Sequence, residues 1–180
     1  MRFLDKDFEE ILSSELISIM GGLTVGIILA VFTDKILLIP GMLILLPGFL
    51  EMRGNISGSF ASRLSSGLFL GVIRPDKFKT RIIQGNLIAS SLLVLFLSFV
   101  LGSMAFLFSF FVLHVFIFRI ILLPIVAGII ANAIEIPLTL FFTLYFFRKG
   151  HDPNNIMGPF VTSTGDVTSI ISLLIAMVII

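Results

Sequence analysis

The run from Pro47 to Ser66, PGFLEMRGNISGSFASRLSS, constrains the fold more than any other stretch of the chain. It sets Glu51, Arg53, Asn55 and Arg63 among glycines and serines, with apolar blocks on both sides. The blocks decide the solvent. Of 180 residues, 57% are hydrophobic and 13% charged, and the mean hydropathy is +1.15. A water-soluble domain of this length has too little interior for so much apolar surface. The fold class is therefore an all-α integral membrane protein. Lipid satisfies no backbone polar group, so a polar, glycine-bearing stretch at membrane depth survives only where protein buries it or water reaches it. We expect a broken or re-entrant segment here, beside a hydrophilic path.

Composition excludes several functions. With no cysteine, disulfides and thiolate metal sites are ruled out. The net charge is +1, and the basic residues are not interleaved with exposed aromatics, so nucleic acid is not a partner. The N-terminal MRFLDKDFEEIL is acidic and lacks the basic region and cleavage site of a secretory signal. Leu4, Phe8, Ile11 and Leu12 share one face, predicting a short amphipathic helix on the membrane surface over about 1–12.

A spanning helix needs about 20 mostly apolar residues. Five candidates emerge, at about 13–33, 36–51, 81–102, 119–147 and 159–180. Met104 to Phe118 is apolar and unassigned: it extends the third span, lies at the outer interface or opens the fourth. Charge favours five. With the N-terminus cytoplasmic, Arg2, Lys6, Arg53, Arg63, Arg74, Lys77, Lys79, Arg81, Arg148 and Lys149 fall inside or at the inner edge. Only Lys35 and Arg119 then lie outside. This places the C-terminus outside. No soluble domain is expected within the chain.

Two carboxylates stand inside these spans. Asp166 shares a helical face with Thr162 and Ser169. It is either a cation site facing a pore or a buried carboxylate paired with an arginine such as Arg63. Glu135 belongs to a stripe of Gly128, Asn132, Glu135, Thr139 and Thr143, at steps of four, three, four and four. The stripe either lines a pathway or hydrogen-bonds neighbouring helices. Asn55, Ser59, Ser62 and Ser66 form a third polar face, preceded by Glu51. Gly22, Gly26 and Ala30 repeat every four residues, a spacing suited to close helix packing. His114 has no partners at ligand spacing. A donor set of carboxylates, amides and hydroxyls suits hard divalent cations, magnesium, calcium or manganese, over zinc or copper, and a two-fold dimer would double it.

At these residues the chain resembles the membrane domain of the MgtE magnesium transporters, and their animal solute-carrier relatives more closely. MRGNISGSFASRLSS resembles those relatives' glycine and asparagine followed by Ala-Ser-Arg-Leu-Ser. HDPNN, with Asp152 to Asn155, resembles their Asp-Pro-x-Asn loop before the last span. PFVTSTGDVTS, from Pro159 to Ser169, is similar to their Pro-x-x-Thr-Ser-x-x-Asp opening of that span. The resemblance implies a five-span protomer, a homodimer and a cation path between protomers. It implies the pore aspartate at Asp166, with Asn55 and its neighbours lining the cytoplasmic side. Two departures stand out. Ser57 occupies a position that is often acidic in the animal relatives, and the cytoplasmic sensor domains of bacterial MgtE, including paired CBS modules, have no counterpart here. Because the animal proteins fuse two such units, pairing with a similar but distinct chain is the alternative to a homodimer.

The expected function is divalent cation transport, probed at Asp166, Glu135, Asn132, Thr162, Asn55, Ser59 and Glu51, with no resident cofactor. Two other classes were weighed. A metal-dependent lipid-modifying enzyme normally gathers several aspartates at helical spacing in one element, whereas Glu51, Glu135 and Asp166 are dispersed. A non-transporting partner subunit has little use for carboxylates inside the membrane.

Overall fold

The computed structural model describes residues 5–180, which fold into five helices with no strand among them. They are α1 (Lys6–Leu37), α2 (Met42–Phe69), α3 (Arg81–Phe111), α4 (Leu122–Arg148) and α5 (Pro153–Ile179), with a 3-10 turn, Phe118–Ile121, before α4. At 27 to 32 residues, they measure about 40–48 Å at ~1.5 Å per residue. That exceeds the ~30 Å of bilayer hydrocarbon. The helix α1, α3, α5, and α4 with its leading turn are each long and apolar enough to cross a membrane.

Local signals place the helix ends. The Asp5 carboxylate accepts from the Phe8 N–H at 3.0 Å and caps α1. Thr80 caps α3 through the Ile83 N–H. Asp152 accepts from the Asn154 N–H at 2.8 Å, and Pro153 occupies the first position of α5, where its missing N–H leaves nothing unsatisfied. HDPNN is thus the start of the last helix, which begins six residues ahead of the expected 159. The turn into α2 needs Gly41, whose φ is +82°. A Cβ there would also stand 2.9 Å from Ile120 Cδ1.

The largest correction concerns Pro47 to Ser66. This segment is not broken or re-entrant, and α2 runs through it without interruption from Met42 to Phe69. Neither Gly54 nor Gly58 has a positive φ. A break in hydropathy is not a break in the helix here: α3, α4 and α5 pack along one side of α2, and Asn132 of α4 accepts from its Arg53. The second helix therefore occupies 42–69 in place of 36–51. The N-terminal reading also changes. Residues 1–4, with Leu4, lie outside the described residues, and from Lys6 the expected surface helix is continuous with α1. The unassigned 104–118 stretch divides: α3 continues to Phe111, and the rest is a turn with His114 at φ 54°.

The small-residue stripe of α1 packs against nothing within this chain. Gly22, Gly26 and Ala30 face outward. Gly21 instead meets Ser163 of α5. Four-residue spacing identifies a common face but not which neighbour that face meets.

Two large apolar clusters and a smaller one of Ala61, Met157 and Val161 fill the bundle. Met42, Leu45, Phe49, Leu123 and Ala127 pack near one end, and Phe60, Leu64, Ile73, Ile83 and Leu144 near the other. Along α2 the layer between them holds Arg53 and Ser57, and along α4 it holds Asn132 and Glu135. Charged side chains mark the two ends. Lys6 donates to the Gly150 carbonyl and Arg148 to that of Pro75, whereas Arg119 and Lys35 sit at the opposite end. Beside Lys6, the buried Glu10 carboxylate joins α1 to the start of α5. It contacts His151 Nδ1 at 2.8 Å and accepts from the Asp152 N–H and the Asn155 side chain.

Candidate functional site

The seven candidate residues separate into two groups. Glu51, Asn55 and Ser59 are exposed on α2, and on the neighbouring α5 Thr162 is exposed and Asp166 half-buried. Asn55 Nδ2 donates to Glu51 Oε1 at 3.0 Å, one turn away. The carboxylates of Glu51 and Asp166 are close enough to repel each other. On the α3 side of this α2 face lies an open groove of about 790 Å³ lined by Asn55, Ser59, Ser62 and Arg63 with Leu93 and Leu97. Asn55 lies near the middle of α2, and Glu51 lies in its first half, nearer the Lys35 end than the Lys6 end.

Neither Glu51 nor Asp166 has a cationic side chain within 4.0 Å among the described residues. Arg63 does not serve as partner to Asp166. It is exposed, and its Nε donates to the Ser59 carbonyl one turn back. Two carboxylates on an outward polar face, with no protein cation between them, form an acceptor set suited to a hard cation that keeps some of its water. Among the described residues no cluster of three or more Asp, Glu, His or Cys side chains closes into a ligand set.

The second group lies inside the bundle. Glu135 is fully buried, its Oε1 accepting from Thr164 and its Oε2 from Thr168, each at 3.2 Å. Thr139 and Thr143 are also buried, and each hydroxyl donates to the backbone carbonyl four residues earlier. The α4 stripe therefore faces protein and not the outward polar face. Asn132 donates to Ser91 of α3 at 3.1 Å and accepts from Arg53 Nη1 at 3.4 Å.

Arg53 corrects the charge count. It was expected at the inner edge, yet it is wholly buried between the apolar clusters, close enough to Glu135 for their charges to attract. Its Nε and Nη2 have no partner among the described residues. Removing it from the tally leaves the other basic residues among those described distributed as before, and Arg2 lies outside the described residues. Periodicity held the signal for its position: Phe49, Arg53, Ile56, Phe60 and Leu64 fall at steps of four, three, four and four, which puts Arg53 on the apolar face of α2. Thr164 and Thr168, also unanticipated, flank Asp166 by two residues on each side and so point elsewhere around α5.

The long apolar helices define an integral membrane protein. A family model described as "MgtE: Divalent cation transporter" matches residues 46–176, most of the chain. The chain belongs to the MgtE divalent cation transporter family. No curated protein and no solved structure matches it significantly.

Proposed function

We propose that this chain carries magnesium, or another hard divalent cation, along the face shared by α2 and α5, with a second copy of the chain covering that face. One observation carries the reading: Glu51, Asn55, Ser59, Thr162 and Asp166 lie together on an outward surface of an otherwise oily bundle, and the two carboxylates lack a protein cation. Polar groups on a lipid-facing surface at this depth are costly, so such a face is occupied by protein and water and not by hydrocarbon. Two copies would bring four carboxylates to one axis and complete an oxygen-donor set that one copy leaves open. Asp166 is the central ion-binding group. Glu51, Asn55, Ser59 and Thr162 line the route to it, and Asn132 and Glu135 support it from inside the protomer. All five helices cross the bilayer, with the N-terminus and the basic end cytoplasmic. Ions move through this path without any chemical turnover.

The natural absence of cysteine makes the path directly testable. In a reconstituted Thr162→Cys variant, a charged methanethiosulfonate should modify the cysteine and reduce cation uptake. By mass action, magnesium at ~10 times its half-saturating concentration should slow that modification about tenfold. Modification that magnesium does not slow, and that leaves uptake intact, would remove α5 from the path.

A further inference from the structure

We propose that Glu135 is a positioning residue: by holding Thr164 and Thr168 it fixes the rotation of α5 about its axis, and with it the direction of Asp166. The inference rests on the transport reading only for what Asp166 faces. Glu135 spends one carboxylate oxygen on each hydroxyl, at 3.2 Å and 3.2 Å, and the two threonines are one helical turn apart. Both contacts lie at the surface of α5, off its axis, so turning the helix about that axis would stretch both of them. Gly165 lies between them, and a side chain at that position would meet Glu135 Oε1 at 3.5 Å, so α5 lies close against the carboxylate. Asp166 is the next residue, about 100° further round the helix, and a rotation of a few tens of degrees would swing its carboxylate off the outward face.

Each threonine proton has a competitor. The Thr164 hydroxyl is also 2.8 Å from the Phe160 carbonyl, and that of Thr168 is 2.9 Å from the Thr164 carbonyl. One hydroxyl proton can be shared between two acceptors, so the contact across the helix interface coexists with the one to the backbone.

Valine has the shape of threonine without the hydroxyl, and serine keeps the hydroxyl without the methyl. The test compares Thr164→Val/Thr168→Val with Thr164→Ser/Thr168→Ser in two measurements. The first is the rate at which N-ethylmaleimide labels Ser169→Cys, a buried position on α5, in purified protein. It reports the setting of α5 whether or not the protein transports. The second is the magnesium concentration that half-saturates uptake. Two interhelical hydrogen bonds in a membrane protein support a shift of about tenfold. The valine pair should therefore label about tenfold faster and need about tenfold more magnesium, while the serine pair stays within about twofold of the parent on both. Parental labelling in the valine pair overturns the proposal, and so does a serine pair as disturbed as the valine pair, which would make the methyl groups the determinant. Failure of the transport reading would show differently, as absent uptake by the parent with the labelling contrast intact.

Discussion

Arg53→Met is expected to be the most destabilising single substitution in the chain. The change keeps a long apolar stem and removes a charge buried between two apolar clusters. Two effects oppose each other. Arg53 has two guanidinium nitrogens without partners among the described residues, so removing it relieves an unfavourable burial. It also leaves the fully buried Glu135 without its positive neighbour. Breaking a buried charge pair from one side costs about 3–5 kcal/mol, and replacing both partners with neutral groups is close to neutral. The loss should win, at the low end of that range, because no oxygen of Glu135 comes within 4.0 Å of the guanidinium. Arg53→Met should thus lose about 3 kcal/mol of stability in detergent. Arg53→Met/Glu135→Gln should recover most of it, read as the thermal midpoint of the purified protein. A double variant no more stable than the single would mean that the two charges are not coupled.

Asp166→Asn should leave the fold intact and nearly abolish divalent uptake. The side chain is half-buried, makes no ion pair among the described residues, and asparagine has its shape, so stability has little to lose. Binding has much to lose. An interaction with a charged group contributes about 1.5–3 kcal/mol, which converts to roughly 10–100-fold in affinity. A two-fold arrangement would lose two such carboxylates at once. Glu51→Gln should have a smaller effect, because Glu51 is exposed and already engaged by Asn55. The measurement is initial uptake against external magnesium for the three proteins at equal reconstituted amounts. Wild-type uptake by Asp166→Asn would move the ion site elsewhere.

Much of the fold was legible because lipid allows few solutions. The apolar runs, with charge deciding the 104–118 stretch, gave five helices, and the basic residues among those described, Arg53 apart, lie at the two ends as expected. Caps such as Asp152 with Pro153 announced a helix start that the hydropathy pattern placed too late. What misled was composition inside α2. Glycines, serines and charges suggested interrupted backbone, although hydrogen bonding within a helix is indifferent to side-chain polarity once neighbouring helices supply partners, as Asn132 does for Arg53. The candidate site was legible as a set of polar residues but not as an arrangement. Periodicity showed that Asn132 and Glu135 share a face of α4, and Asn55 and Ser59 a face of α2. It could not show that the first face turns inward and the second outward. That choice depends on which helices are neighbours, and a single chain's spacing does not encode it.

The most direct measurement is magnesium uptake into liposomes holding only this protein, followed with an indicator dye sealed inside. We predict uptake that rises with the amount of protein, saturates with external magnesium and competes with manganese or calcium. Folded protein that admits none of the three cations would contradict divalent transport by this chain.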